Sequence, residues 1–222
     1  MKTPILILLL FSCLFIKAQT ALDNTNFQQA INTCLSTNPE DGMCSDSEYG
    51  AMPDWDVSKV TAMSGAFRDT TDFNGNISTW NVSSVTNMSY MFYEALAFNG
   101  DISNWNAGSV TNMTGMFYQA SLFNQNISSW DVSSVTDMRF MFYDAPSFNR
   151  DISNWNVGSV TNMAGMFYRA LAFNQNVGSW NVSSVTTMEG MFSEASTFNQ
   201  NIGSWNVSSV TTMGGMFYKA LA

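Results

Sequence analysis

The sequence predicts an α/β repeat solenoid, in which one short parallel strand and one short helical arm recur in every unit. All seven tryptophans lie 25 residues apart, from Trp55 to Trp205. The residues between them recur as well, in the pattern W-[DN]-V-[SG]-x-V-T-x-M-x-x-M-F-x-x-A-x-x-F-N-x-[DN]-I-[SG]-x. A fixed period of about 20–50 residues is typical of a fold in which one supersecondary unit stacks on copies of itself.

Each unit, called a repeat from here on, divides into a strand and an arm. Trp80 and Val82 alternate with Asn81 and Ser83, which is the period of a short strand. Within residues 86–95, two methionines, a phenylalanine and an alanine fall at i, i+3, i+4 and i+7, which is the spacing of one helical face. The order predicted for each repeat is therefore strand, turn, helical arm and return loop.

Equivalent residues of neighbouring repeats are expected to stack in columns, because a single repeat cannot bury its own apolar face. Tryptophan, methionine and two phenylalanine columns would form this core, and each large buried side chain contributes about 1.5–3 kcal/mol. An asparagine column follows the second phenylalanine, and its inward amides are expected to bond the backbone of the next repeat. That column consists of Asn74, Asn99, Asn124, Asn149, Asn174 and Asn199.

Residues 1–18 have the pattern of a signal peptide. A lysine at position 2 precedes an apolar run over residues 5–16, and Ala18 supplies a small residue for cleavage. The run is too short for a membrane span, and no second apolar segment follows, so no transmembrane segment is expected. Lipid attachment at Cys13 is a less favoured alternative. The chain is therefore expected to be secreted or displayed at the cell surface.

Residues 19–54 are predicted to form an N-terminal cap. Two cysteines, Cys34 and Cys44, remain after cleavage, and an even count in an exported chain indicates one disulfide. Asn24 or Thr25 is expected to cap a short helix that covers the exposed end of the first repeat. The residues expected on the buried face of this helix are Phe27, Ala30, Ile31, Cys34 and Leu35.

Residues 55–222 hold six full repeats and a truncated seventh. The seventh stops before its second phenylalanine, and no closing cap follows, so we expect the chain to be a fragment. Repeats 1 to 7 are residues 55–79, 80–104, 105–129, 130–154, 155–179, 180–204 and 205–222.

The composition argues against catalysis and against nucleic acid. The formal net charge of −9 repels phosphate backbones. The sequence has no histidine, which removes the commonest general base and metal ligand, and it has no phosphate-binding glycine motif. We therefore expect no enzyme activity, no cofactor and no metal. Calcium bound between repeats by Asp101, Asp131 and Asp151 is a less favoured alternative.

The repeat resembles the bacterial surface form of the leucine-rich repeat, and more closely the BspA family of leucine-rich repeat surface proteins. That family includes Mycoplasma-type surface lipoproteins of unknown function. The resemblance covers residues 49–222 and implies a curved, non-catalytic solenoid used in adhesion or ligand recognition. It departs from the pattern at Ala66, Thr70 and Ala107. The matching positions, from the end of repeat 1 into repeat 2, are Ile77, Trp80, Val82, Val85, Met88, Met91, Phe92 and Ala95.

The candidate ligand-binding face is the outward position between tryptophan and valine. A nearly uncharged strip at constant spacing suits a repetitive protein or polysaccharide ligand at the cell surface, through many weak contacts. A structural spacer or stalk is the alternative, and an ice-binding threonine grid that includes Thr86 and Thr111 is a third, weaker one. The sequence gives no indication of the oligomeric state. The candidate residues are Asn81, Asn106, Asp131, Asn156, Asn181 and Asn206.

Overall fold

The computed structural model of the protein describes residues 20–221, so the predicted signal peptide at residues 1–18 lies outside the described residues. Within residues 20–221, the helices are α1 (Phe27–Leu35) and a 3-10 helix (Met52–Asp54). The repeats consist of turns, extended segments and isolated parallel bridges. Within the same residues, no helix has the length and apolarity needed to cross a bilayer.

Helix α1 forms the cap because one of its faces is apolar. Phe27, Ala30, Ile31 and Cys34 are buried on that face, and Leu35 packs against the core at its edge. The ring of Phe27 meets the indole of repeat 2 edge-to-face, with the centroids 5.7 Å apart. The helix therefore contributes its own side chains to the core of the first repeats.

A disulfide joins Cys34, at the end of α1, to Cys44, with their Cα atoms 5.2 Å apart. The loop that it closes contains Glu40, whose carbonyl oxygen accepts the Asn74 N–H at 2.7 Å. In later repeats an asparagine side chain of the preceding repeat fills this role. The disulfide therefore holds the loop that completes repeat 1.

Asn24 pairs with the edge of repeat 1, and this differs from its predicted role as a helix cap. Its Oδ1 accepts the N–H groups of Thr61 and Ala62 at 2.9 and 3.2 Å. In the next repeat, the corresponding N–H of Thr86 bonds to a carbonyl of the preceding repeat. Asn24 therefore substitutes for a preceding repeat, and α1 begins after Asn26, whose side chain caps no helix N–H.

Successive repeats lie parallel and in the same register. An isolated parallel bridge joins each repeat to the next, and every bridge links residues 25 positions apart. The bridged column consists of Ala62, Asn87, Asn112, Asp137, Asn162, Thr187 and Thr212.

The predicted helical arm at residues 86–95 is not helical in the structure. Tyr90 has a φ of 55°, which a right-handed helix excludes. The N–H of Met91 donates three residues back, whereas the N–H of Phe92 donates to the Met116 carbonyl of the next repeat at 2.9 Å. Local and inter-repeat bonds alternate in this way along the arm. The same residues still point inward, and for this reason the apolar spacing imitates that of a helix.

The predicted Trp-x-Val strand shows the expected alternation of buried and exposed side chains, but it does not pair with the neighbouring repeats as a strand would. Trp80 and Val82 are buried while Asn81 is exposed, as the period-2 pattern predicts. The N–H groups of Trp80 and Val85 bond three residues back, in turns, and the bridge to the neighbouring repeats lies further along, at Asn87. Among the described residues, each repeat therefore has a bridge of one residue in place of a strand.

The tryptophan column lies in the core, which confirms its predicted place. All seven indoles are at most 9% exposed. The rings of Trp80 and Trp105 are parallel, with their centroids 6.5 Å apart. Each indole N–H also finds an acceptor, as Trp130 does at the carbonyl of Ile102, 28 residues earlier in the chain and 3.1 Å away. Burial and hydrogen bonding therefore fix the position of each indole in the core.

Two phenylalanine columns and the asparagine column complete the stack. Phe92 lies 3.9 Å from Phe98 within its repeat and 5.6 Å from Phe117 in the next, measured between ring centroids. In the asparagine column, the Asn99 N–H donates to Oδ1 of Asn74 at 2.8 Å. The predicted bonding between repeats is confirmed. These asparagines are half-buried or exposed, however, so they lie at the surface and not inward.

Candidate functional site

The predicted ligand face, called the polar face from here on, is exposed along its whole length. Its six residues occupy one position in repeats 2 to 7, and each is exposed. The parallel register places them in a single row with one side chain per repeat. The polar face consists of Asn81, Asn106, Asp131, Asn156, Asn181 and Asn206.

Every side chain of the polar face closes a turn in its own backbone. Oδ1 of Asn81 accepts the N–H of Ser83 at 3.2 Å, and Oδ1 of Asp131 accepts the N–H of Ser133 at 3.0 Å. Asparagine and aspartate both present this oxygen, and therefore either residue serves in the column. The turn uses one δ-oxygen, which leaves an amide NH2 in each asparagine, and a second oxygen in Asp131, to face a ligand.

Serine hydroxyls beside the polar face tie neighbouring repeats together. Oγ of Ser109 donates to the Ser83 carbonyl at 2.8 Å, and Oγ of Ser134 donates to the Gly108 carbonyl at 2.9 Å. These hydroxyls use their protons within the protein, so they present only acceptor capacity outward. The polar face is therefore a row of five amide donors and one carboxylate on a backbone fixed by hydrogen bonds.

The carboxylates in these turns have lowered pKa values. The pKa of Asp131 lies below its ordinary value because the Ser133 hydroxyl and N–H bond to the charged form. The pKa of Asp101 and that of Asp151 are lowered by the serine two residues on, in each case through its N–H first. These groups stay ionised at neutral pH, so they are not suited to donate protons as general acids.

Replacing Asp131 with asparagine is expected to preserve stability at neutral pH, because asparagine keeps the turn-closing oxygen. Replacing it with alanine is expected to cost about 1 kcal/mol, since the Ser133 N–H loses its partner. A carboxylate whose pKa is lowered in the folded state stabilises the fold at pH values above its unfolded-state pKa. This stabilisation is lost as the pH falls through the folded-state pKa. The asparagine variant should therefore lose less stability than the wild type on acidification, as measured by thermal denaturation. Equal stability of the asparagine and alanine variants at neutral pH would contradict a turn-closing role for Asp131.

A stack of tyrosines, called the tyrosine column from here on, is a feature that the sequence prediction missed. The rings of Tyr93, Tyr118, Tyr143 and Tyr168 lie parallel, with their centroids 4.7, 4.5 and 4.3 Å apart. All four are partly exposed. The available signal was a tyrosine after the first phenylalanine in repeats 2 to 5, at a position that the repeat pattern left undefined.

Alkaline pH is expected to destabilise the protein through the tyrosine column. Burial, followed by the neighbouring phenols of Tyr118 and Tyr168, raises the pKa of Tyr143 to about 12. A raised folded-state pKa gives stability below the unfolded-state pKa of about 10, and this stability is lost as the pH rises through the folded-state value. Urea midpoints should therefore fall between about pH 10 and about pH 12. Tyr143→Phe should reduce that fall, and an unchanged pH profile would contradict the assignment.

A second column combines left-handed backbone with two aromatic side chains. Tyr90 and Phe140 have φ values of 55° and 58°, a region that bulky residues rarely adopt. The corresponding residue in the other five repeats is glycine. Both rings meet a tyrosine of their own repeat edge-to-face, Tyr93 and Tyr143 respectively. Backbone strain at an aromatic residue motivates a search for function at that position.

The remaining predicted sites do not converge. Among residues 20–221, no group of three acidic or cysteine side chains lies close enough to hold a metal ion. The threonine hydroxyls of the proposed ice-binding grid donate to carbonyls of the preceding repeat, as Thr111 does to Thr86 at 3.2 Å. These hydroxyls therefore offer only acceptor capacity to the solvent.

Comparison with known families gives a match in two segments of the chain. Residues 41–150 and 124–222 match the sequence model of the family described as Mycoplasma protein of unknown function, DUF285. The two matches overlap and together span more than half of the chain. No curated protein matches the chain. The family description names no activity or partner, so the function must be argued from the residues of this chain.

Proposed function

The chain belongs to the DUF285 family, and on this premise we propose that it is a secreted or cell-surface, non-catalytic repeat protein for adhesion or ligand recognition. Its proposed fold is a solenoid of the BspA-like, leucine-rich-repeat-like type. The parallel bridges between residues 25 apart support this fold, because one unit pairs with the next in constant register. The Cys34–Cys44 disulfide supports export, since structural disulfides persist in oxidising compartments.

The polar face supports recognition of a protein or polysaccharide ligand. Its turns and inter-repeat hydroxyl bonds fix the backbone before any ligand arrives, which lowers the entropy lost on binding. An amide donor in five of the six repeats of this face, as at Asn106, suits a polymer whose acceptors recur along its length. Contacts that are weak one by one add up when they are linked in this way.

The proposal of a non-catalytic role rests on the state of the titratable groups. The turn carboxylates, such as Asp131, hold lowered pKa values and their charge is used in local hydrogen bonds. Tyr143 stays neutral to about pH 12 because its pKa is raised to about 12. Neither group is poised to exchange protons near neutral pH, as a general acid or base must be.

The test is a polysaccharide and matrix-protein array probed with the purified full chain and two matched variants. The first variant changes Asn106, Asn156 and Asn181 to aspartate, which keeps every turn oxygen but removes three outward donors. The control variant makes the same charge change with three aspartates at Asn126, Asn176 and Asn201, in a turn column that already holds aspartate in other repeats. We expect the first variant to lose binding and the control to retain it.

Two results would contradict the polar-face proposal. Equal binding by both variants would place recognition elsewhere on the protein. Absence of binding by the wild type across the array would favour the structural spacer or stalk. The hydrogen bonds that run from repeat to repeat, from the Thr86 N–H to the Thr61 carbonyl through to the Thr211 N–H, support this alternative because they resist bending of the stack.

A further inference from the structure

A cleft of about 270 Å³ lies beside the last rings of the tyrosine column, in repeats 4 to 6. Three of its walls are aromatic, and one side chain on its rim is a carboxylate. Its floor is formed by small residues of repeats 5 and 6. The lining residues are Phe140, Tyr143, Ala164, Gly165, Tyr168, Glu189 and Gly190.

The cleft exists because an aromatic ring is followed by two glycines in the left-handed column. The Phe140 ring lies over Gly165, where a Cβ would stand 2.7 Å from Cδ1 of the ring. The Phe140 ring also meets Tyr143 edge-to-face, with the centroids 5.8 Å apart. One repeat further on, a Cβ at Gly190 would meet no atom closer than 4.0 Å. Phe140 therefore forms a wall, and the space beyond it is open.

The tyrosine column ends at the same place. Tyr168 stacks on Tyr143 from one side, but the following repeat supplies Ser193 in place of a ring. At the other end of the column, the guanidinium carbon of Arg68 lies 4.5 Å from the Tyr93 ring centroid. In repeat 7, Nζ of Lys219 lies 5.1 Å from the Tyr218 ring centroid. Tyr218 occupies the equivalent position in repeat 7, so in both places a cation of the same chain lies against a tyrosine ring that has no stacked ring from the preceding repeat.

Glu189 gives the cleft an uncompensated negative charge. Its side chain is exposed and forms no ion pair within residues 20–221. Two arginines of repeats 4 and 5 are paired with other carboxylates: Arg139 with Asp137 at 3.1 Å, and Arg169 with Asp144 at 3.4 Å. The chain as a whole carries a net charge of −9. The rim therefore favours a positively charged occupant.

We propose that this cleft binds a lysine or arginine side chain of a basic partner segment, with the cation placed between the aromatic rings and the Glu189 carboxylate. Aromatic rings attract a cation through their quadrupole, and a nearby carboxylate adds direct charge attraction. Arg68 on Tyr93 is an example of the first of these contacts within the same protein. The site is separate from the polar face and does not depend on it.

The test titrates a blocked hexalysine peptide into the full chain by calorimetry at low salt, with hexaserine as the neutral reference. Phe140→Gly installs the residue that five other repeats have at this position, and Glu189→Gln removes the charge without changing the shape. We expect each to weaken hexalysine binding about fivefold. The matched controls are Tyr90→Gly, in the same column outside the cleft, and Glu48→Gln, an equal charge change in the cap. Both should bind like the wild type.

Hexalysine binding no tighter than hexaserine binding would overturn the proposal, and so would equal losses in Glu189→Gln and Glu48→Gln. Cellohexaose provides the competing arm. If cellohexaose binds the wild type, and Phe140→Gly abolishes that binding while Glu189→Gln does not, the cleft is a glycan-binding site and the cation proposal is wrong. Circular dichroism of every variant confirms that it is folded. The polar-face variants should not weaken hexalysine binding, because they add negative charge and leave the cleft unchanged, so failure of either proposal is distinguishable from failure of the other.

Discussion

Replacing Trp130 with alanine is expected to lower the free energy of unfolding by about 3–5 kcal/mol. The indole is only 3% exposed and lies in the middle of the stack. It stacks on Trp105 with the ring centroids 6.3 Å apart, and its N–H donates to the Ile102 carbonyl at 3.1 Å. The substitution removes a large apolar surface, leaves a cavity and leaves the carbonyl without its donor, and each of these effects is destabilising.

Guanidinium denaturation followed by circular dichroism measures this loss. Trp130→Phe is the matched control, because it keeps an aromatic ring and removes the N–H, so its loss should be smaller. Each repeat contacts only its neighbours, and hydrogen exchange should therefore show lost protection first in repeats 3 to 5. A loss below about 1 kcal/mol in the alanine variant would mean that the tryptophan column does not hold the repeats together.

Removing the disulfide by Cys34→Ser together with Cys44→Ser is expected to cost about 2–4 kcal/mol. Both residues are buried, and the loop between them supplies the Glu40 carbonyl that accepts the Asn74 N–H at 2.7 Å. Without the covalent closure, the unfolded loop has more conformations to lose on folding. The first consequence should therefore be a loosened cap and an exposed edge at repeat 1.

Thermal denaturation with and without a reductant gives the overall loss, and the wild type under reductant should resemble the double serine variant. Hydrogen exchange locates the loss, since the amides of Thr61 and Asn74 should exchange faster while that of Phe167 is unchanged. Uniform acceleration along the whole chain would contradict a cap that acts locally. No acceleration at Thr61 would mean that Asn24 holds the edge without the disulfide.

The polar face illustrates what could be predicted about the site. Alternation around Trp80 and Val82 was sufficient to place Asn81 at the surface, and the structure has it there. The turn that Asn81 closes was not predicted. Its Oδ1 accepts the backbone N–H of the residue two positions later, and a bond of this kind depends on local backbone angles that the sequence pattern does not specify. The exchange of asparagine for aspartate at Asp131 was the available signal.

The cleft at Phe140 could not be predicted from one repeat alone. It depends on which residue the next two repeats place in the same column, here Gly165 and Gly190, and on the end of the tyrosine column at Tyr168. These residues lie at least 25 positions from Phe140, at places that the repeat pattern leaves variable. Only the parallel register brings them together.

The sequence by itself determined the period, the buried columns and the cap helix, because apolar side chains at fixed spacing have to share one interior. The tertiary structure decided the backbone between them. Left-handed residues such as Tyr90 and Glu94 interrupt the arm, and alternate N–H groups bond to the next repeat instead of along a helix. Whether a backbone N–H bonds to a carbonyl of its own repeat or of the next one depends on the neighbouring repeat being in place. The sequence pattern of a single repeat therefore does not predict it.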